Sequence, residues 1–274
     1  MTTPSTKRTS QDQAEHTHKH DENTPLSQIE GRHPVAEALR AGRHINRVFV
    51  LESARTSRRK SPLAELAQQC RDQGAIVVYV GRATLDKMAL SEGHQGIIAE
   101  MAAHGYRELD DVLHDAATRG ETPFLLLIDH VQDPQNLGSI LRIADGAGVT
   151  AVIIPKRRAV PLNAAVAKAS AGAIEYVPVV RVTNLSQTIL SLKDEGFWIF
   201  GTDASAETRY DEIDFAGKIA LVIGSEGEGI TRNIRNKCDV LLSIPLHGRI
   251  NSLNAAVACG IVAFEAARKR RQIT

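Results

Sequence analysis

Cysteine is scarce in this chain. Cys70, Cys238 and Cys259 are the three present. They lie far apart with no C-x-x-C pair, which argues against a disulfide framework or a zinc site and for reduced thiols in the cytosol. Also missing is any apolar run long enough to span a bilayer. The N-terminus has no apolar signal-peptide core, so a cytoplasmic protein is expected. Charge bias is absent too: 33 Lys+Arg against 32 Asp+Glu leave a net charge of +1. Composition therefore announces no nucleic-acid partner, and local basic patches would have to meet one. What is present is 43% hydrophobic residues in 274. That suffices for one large domain plus a smaller one without covalent staples.

Residues 1–28 hold almost no large apolar side chains, so they are expected to form a disordered tail. His16, His18 and His20 alternate in it, and a solvated tail is the simple reading beside opportunistic metal binding. Residues 29–103 read as a small α/β unit. Helices are predicted over His33–Arg40, from Ser61-Pro62 with the stripe Leu63, Leu66, Ala67 and Cys70, and over Thr84–Leu90. Strands are predicted over Arg47–Leu51, Ala75–Val80 and Gly96–Met101. Residues 104–122 read as a polar linker, partly helical around Leu109–Leu113. Residues 123–274 then alternate strands with helices. The strands are Phe124–Ile128, Ala151–Ile154, Tyr176–Val182, Phe197–Thr202, Ile219–Ile223 and Val240–Ile244. The helices are Leu137–Ala147, Asn163–Ala173, Leu185–Glu195, Ile230–Lys237 and Ser252–Arg270, the last expected to bury Val257, Ile261 and Phe264. Continuous apolar strands of this kind suit a parallel sheet covered on both faces.

Three segments follow predicted strands, at the sheet edge where ligands bind in open α/β folds. The first runs Asp129-His-Val-Gln-Asp-Pro-Gln-Asn-Leu-Gly-Ser-Ile-Leu-Arg142. Asn136 is placed as a helix N-cap, Gly138 permits close backbone approach, and Arg142 lies within the helix. A plain cap and a surface ion pair are the simple alternatives for Asn136 and Arg142. The second is Ile223-Gly-Ser-Glu-Gly-Glu-Gly229, a glycine-rich turn. It lacks the Gly-Lys-Ser/Thr of a Walker loop, and its spacing fails the dinucleotide fingerprint. The third runs Ile244-Pro-Leu-His-Gly-Arg-Ile-Asn-Ser-Leu-Asn254 into the last helix, with Ser252 as its expected N-cap. The basic end Arg268–Arg271 suits the negative end of the helix dipole, with RNA contact as the alternative.

Together the three segments resemble the SpoU (TrmH) family of RNA 2′-O-methyltransferases. Within it, residues 29–271 are most similar to the RlmB subgroup, which acts on guanosine in 23S ribosomal RNA. The resemblance implies an α/β fold with a parallel-sheet catalytic domain and a C-terminal trefoil knot. It implies a preceding RNA-binding domain of the L30e/L7Ae type, and a homodimer with sites near the subunit interface. It implies S-adenosyl-L-methionine as cofactor and RNA, not a metal or a membrane, as partner. The catalytic group would be Asn136, Arg142, Glu226 and Asn254. The cofactor would be held at Thr202, Gly224, Ile244, Leu246, Ser252 and Leu253. His247, Arg249, Asn251 and the pair Ala255-Ala256 depart from the family's commoner residues and bear on the RNA target. A guanidinium keeps its proton far above neutral pH, so Arg142 is better cast as a holder of phosphate and developing alkoxide than as a base. Transfer RNA as the substrate, a non-catalytic RNA-binding protein and a nucleotide-binding enzyme are the competing readings.

Arg55, Arg58, Arg59 and Lys60 concentrate positive charge in a loop of an otherwise neutral chain, and are expected to meet RNA phosphates. Neutralising all four should weaken RNA binding and flatten its salt dependence, by up to about 0.7–0.9 log units per lost phosphate contact. Cofactor affinity, measured by calorimetry, should not move.

Overall fold

The computed structural model describes residues 26–56, 61–90, 93–102, 104–249 and 252–273. The N-terminal part contains strands β1 (Leu26–Glu30), β2 (Ile45–Leu51), β3 (Ile76–Val80) and β4 (Ile97–Ala102). Helices α1 (Arg32–Arg40), α2 (Ser53–Thr56), α3 (Pro62–Asp72) and α4 (Arg82–Met88) stand between them. The sheet order is β1-β4-β2-β3, with β2 and β3 parallel and β4 antiparallel to both of its neighbours. Ser61 caps α3 by accepting from the Ala64 amide at 3.1 Å, with Pro62 in the first turn, as the sequence suggests. Strand β1 begins inside the expected tail. Its partner is β4, seventy residues on, with Leu26 opposite Ala102, so a distant ladder orders a segment whose own composition could not. The alternating histidines, and Arg58, Arg59 and Lys60, lie outside the described residues.

Residues 104–122 are packed, not free. Tyr106 Oη accepts from the Leu162 amide at 3.0 Å, Arg107 bridges Val180 in parallel, and α5 (Leu109–Thr118) buries Val112 against the second sheet. That sheet holds β5 (Phe124–Ile128), β6 (Ala151–Pro155), β7 (Val179–Val182), β8 (Trp198–Thr202), β9 (Ile219–Ile223) and β10 (Val240–Leu242). All six are parallel in the order β10-β8-β9-β5-β6-β7. Alternate residues of β5 serve opposite faces. Phe124, Leu126 and Ile128 join the core under α6 (Pro134–Ala147), α7 (Ala164–Ala169) and α10 (Ala255–Ile273). Leu125 and Leu127 join the core under α5, α8 (Leu185–Asp194) and α9 (Arg232–Arg235).

Helix α10 differs from expectation. It buries a face of small side chains, Ala255, Ala256, Cys259, Val262, Ala263, Ala266 and Ala267, while Val257 and Phe264 are 50% and 47% exposed. Small residues let it lie close on α6, where Phe264 covers Gly146. Its basic end staples loops. Lys269 Nζ donates to the Asp211 and Ile213 carbonyls at 2.6 and 2.7 Å. Arg270 donates to the carbonyls of Thr122 at 2.6 Å and Phe215 at 3.1 Å. Burial pushes the Cys70 thiol up to about 11 and those of Cys238 and Cys259 up to about 12, so none is poised as a nucleophile. Among the described residues, no helix is long and apolar enough to cross a membrane.

Gly138 sits where α6 meets α7. A Cβ there would lie 2.3 Å from Ala169 Cβ and 2.8 Å from the Ala169 carbonyl carbon. Gly138→Ala should therefore destabilise the protein by about 1–3 kcal/mol through overpacking, despite alanine's better helix propensity. Urea denaturation would measure it, and an unchanged midpoint would contradict the contact.

Candidate active site

Motif one follows β5 and motif two follows β9, and these two strands are neighbours. The chain order reverses around them, which places both loops at a topological switch point of the sheet. Motif three follows β10, beside β8. Asp129, buried at the end of β5, ties the first loop to the second: its Oδ2 accepts from the Thr231 amide and from Thr231 Oγ1, both at 2.8 Å. Its other oxygen holds His130, whose backbone is left-handed at φ 65°.

The N-cap of α6 is Asp133, not Asn136. Asp133 Oδ1 accepts from the Gln135 amide at 2.9 Å with Pro134 in the first turn. Asn136 is thereby released from capping. Helix α10 likewise starts after Asn254, not Ser252: Asn254 Oδ1 accepts from the amides of Ala256 and Val257 at 2.9 and 3.3 Å. Its Nδ2 turns the other way, donating to Asn136 Oδ1 at 2.8 Å and Glu226 Oε2 at 3.2 Å. One carboxamide thus joins a residue from each motif.

Three of the four expected catalytic residues meet in this way, and Arg142 does not. It is exposed on α6, six residues past Asn136, which is about 9 Å along the helix axis. No ion pair or hydrogen bond links it to Asn136, Asn254 or Glu226 among the described residues.

The glycine-rich turn closes on itself. Ser225 N donates to Gly229 O at 3.1 Å and Gly229 N to Ser225 O at 3.0 Å, with Gly227 and Gly229 left-handed. A Cβ on Gly224 would lie 2.0 Å from the Gly229 carbonyl carbon and 2.2 Å from the Ile230 amide nitrogen. The loop's own backbone therefore requires this glycine before any ligand does.

Beside the turn is a cleft of about 530 Å³. Thr202, Gly224, Ile244, Leu246, Ser252 and Leu253, all six residues expected at the cofactor, line it. Within the described residues, no hydrogen bond takes up the amides of Ile244, Leu246 or Leu253. Backbone donors beside apolar side chains suit a flat heteroaromatic ring and its edge. Sequence reasoning missed Asp203, Ser205 and Arg235 on the same wall. The available signal was position, since Asp203 directly follows β8 at the ligand-binding edge. Burial works against its charge, yet two hydrogen bonds from Ser205 and the Arg235 guanidinium, 3.0 Å away, hold its carboxyl below the usual range. His247 and Arg249 are exposed beyond the cleft, and Ile250 and Asn251 lie outside the described residues.

Loops after β8, β9 and β10 line this cleft, and the loop after β5 reaches its wall through the Asn136–Asn254 contact. The SpoU rRNA methylase family matches residues 123–264, and the RNA 2′-O ribose methyltransferase substrate-binding family matches residues 28–107. The chain belongs to the SpoU rRNA methylase family. It is 43% identical over 243 residues to the TrmH-family tRNA/rRNA methyltransferase YacO of Bacillus subtilis, covering 89% of this chain and 96% of that one. A TrmH-family protein of Staphylococcus aureus is 44% identical over 245 residues, 89% of this chain and 97% of its own. Among solved structures, the SpoU methyltransferase AviRb of Streptomyces viridochromogenes, in complex with AdoMet, superposes with a TM-score of 0.73. It covers 90% of this chain and 91% of AviRb at 24% identity, a likeness of fold. The protein is an RNA 2′-O-ribose methyltransferase with an N-terminal substrate-binding domain.

Asn254 separates two roles by chemistry. Asn254→Asp keeps an oxygen for the α10 cap but cannot donate to Asn136, and it sets a second carboxylate against Glu226. Methyl transfer should fall steeply while thermal stability stays near wild type. Asn254→Ala should lose activity and also about 1 kcal/mol of stability with the cap. An active aspartate variant would contradict the role of Nδ2.

Proposed function

We propose that this enzyme transfers a methyl group from S-adenosyl-L-methionine to the 2′-hydroxyl of a guanosine in 23S ribosomal RNA, as a cytoplasmic homodimer of the RlmB type. The observation that carries the reading is spatial: one cleft is lined by all six expected cofactor residues, and its Ser252–Ala255 wall runs through Asn254 to Asn136 and Glu226. The amides of Ile244, Leu246 and Leu253 would hold the adenine side of the cofactor, and Thr202, Gly224 and Ser252 would complete the cradle. In the trefoil knot that the family resemblance implies, the last helix would thread through a loop.

When bound, S-adenosyl-L-methionine supplies a methyl group already made electrophilic by its sulfonium. The protein's work is to align a ribose oxygen with it, and positioning of that kind is worth up to about 7–11 kcal/mol. Asn254 sets the orientation of Glu226 and of the Asn136 carboxamide, which would hold the ribose hydroxyl. Arg142 would hold the adjacent phosphate and stabilise the forming alkoxide. In one protomer Arg142 stands apart from that group. Its helix also lies against α10, where Val257 and Phe264 leave apolar surface exposed. A second copy covering this surface would bury the apolar side chains and set Arg142 of one protomer beside the cleft of the other. Transfer RNA is the second reading, favoured by the pairing of tRNA with rRNA in the name of the Bacillus relative.

Purified enzyme, labelled cofactor and either 23S rRNA or tRNA, followed by nuclease digestion and mass spectrometry, would identify the methylated nucleoside. Label in tRNA alone would replace the ribosomal reading. Arg142→Ala should lower turnover at least about 100-fold, the scale of one lost transition-state charge stabiliser, with cofactor affinity kept. Arg142→Lys should fail as well, because an ammonium lacks the bidentate fork. Mixing Arg142→Ala with Glu226→Ala chains should restore part of the activity if each site draws on both protomers. No restoration would place Arg142 in the site of its own chain.

A further inference from the structure

The cleft beside the glycine-rich turn has in its wall a carboxylate that the catalytic group does not use. Asp203 directly follows β8, and its side chain is only 14% exposed. Its backbone is fixed from both sides. The Asp203 amide donates to the Leu242 carbonyl on β10 at 2.9 Å, and the Thr202 hydroxyl donates to the Val222 carbonyl on β9 at 3.2 Å. The end of β8 is thereby tied to both neighbouring strands.

The carboxylate itself is aimed by its neighbours. Oδ1 accepts from the Ser205 amide at 2.8 Å and from Ser205 Oγ at 2.6 Å. Arg235 Nε lies 3.0 Å from Oδ2, and Arg235 Nη2 donates to Ser205 Oγ at 3.3 Å, which closes a triangle of three side chains. An ionised carboxylate offers about four acceptor positions, two on each oxygen. Both on Oδ1 are taken, whereas among the described residues Oδ2 receives Arg235 alone. One acceptor position is left over on an anion set in the wall of a ligand cleft. Burial deprives that anion of hydration, and a donor on a ligand would restore part of it.

Sheet order says which part of a cofactor would meet it. Strand β8 lies between β10 and β9. The loop after β10 carries Ile244 and Leu246, assigned to the base, while Glu226 follows β9 and Asn136 lies one strand further on, after β5. Neighbouring strands are about 4.8 Å apart. A nucleoside laid from the base end to the reacting end therefore crosses the end of β8 with its sugar, because ribose stands between the base and the 5′ sulfur. Ribose carries a vicinal diol, a pair of O–H donors. Acidic side chains take ribose hydroxyls in the same way at strand ends of dinucleotide-binding folds. We propose that Asp203 binds the ribose diol of the cofactor, with Ser205 and Arg235 as positioning residues that aim its carboxylate. The inference rests on the reading of this cleft as the cofactor site.

The test is calorimetry of the full-length enzyme with S-adenosyl-L-homocysteine, which has the same nucleoside and no methyl group to transfer, and with its 2′-deoxy and 3′-deoxy forms. Wild type should bind at least one deoxy form about tenfold or more weakly, the scale of one hydrogen bond to a charged group. Asp203→Ala should bind S-adenosyl-L-homocysteine weaker by a similar factor and should no longer distinguish it from that deoxy form. Asp203→Asn, of nearly the same size and with one acceptor oxygen left, should show both effects to a smaller degree, and its melting temperature checks the fold. A purely structural role would weaken all three ligands equally and keep the discrimination, which would overturn the proposal. Wild-type enzyme indifferent to the diol, or variants with wild-type affinity, would overturn it too. 5′-Methylthioadenosine keeps the diol and lacks the amino-acid tail. A loss in Asp203→Ala that vanishes with this ligand would assign the carboxylate to the tail ammonium instead. Leu253→Trp, which adds bulk to the same cleft, is the control for the site itself. Unchanged affinity there would remove the cofactor reading of the cleft, and the proposal with it. Lost affinity there, with discrimination intact in Asp203→Ala, would strike the assignment of Asp203 alone.

Discussion

Asn254 uses the two ends of its carboxamide differently. The oxygen caps α10, while the nitrogen reaches Asn136 on α6 and Glu226 on the glycine-rich turn. The Asn136–Asn254–Glu226 cluster is therefore only as well placed as α10 itself. That helix is held at its far end by Lys269 and Arg270, which donate to carbonyls of the 211–217 segment and of Thr122. A rigid helix anchored at its tail and capped at its head transmits position over its whole length. The basic tail contributes by satisfying loop carbonyls, a role that charge alone would not suggest.

Two glycines supply the second constraint, and both answer to the protein's own backbone. Gly138 lets α6 and α7 approach within what would be a Cβ clash, and Gly224 lets the 225–229 hairpin fold back on the end of β9. Close packing of this kind leaves no room to relax. The helix carrying Asn136 is thereby fixed against α7, and the turn carrying Glu226 against its strand. Asp129 adds a polar lock between the first two loops through Thr231. Preorganisation of the site thus comes from sterics and buried hydrogen bonds together.

The two domains meet through charge as well as through a shared apolar core. Glu175, almost fully buried, accepts from Arg43 at 3.2 Å and lies 3.3 Å from His104, while Tyr176 Oη donates to Glu37 at 2.9 Å. Breaking a buried pair of this kind leaves an uncompensated charge. The N-terminal domain is thus held against the catalytic domain by named contacts.

Much was legible in the residue order. The strands Phe124–Ile128 and Ile219–Ile223 are continuous apolar runs bounded by turn residues, and they form at those bounds. Local chemistry suffices there, because a strand buried on both faces needs only hydrophobicity and length. The six residues expected at the cofactor were named from the family resemblance of their segments, and the structure sets all six around one cleft. Other features depended on partners remote in sequence. Strand β1 exists because β4 pairs with it, and the 104–122 segment packs because the sheet edge at Val179–Val180 accepts it. Asp133 and Asn254 took the caps assigned to Asn136 and Ser252. Several residues near a helix start can cap it, and contacts across the fold decide which is free for other work. The exposed face of α10 follows the same logic. The expected apolar stripe is half exposed at Val257 and Phe264, and the small residues of the helix are the buried ones. Sequence by itself determined the alternation of elements and the loops that carry chemistry, since these depend on local pattern. Tertiary structure alone decided which side chains of those loops meet, because that depends on distances between residues as far as 118 positions apart.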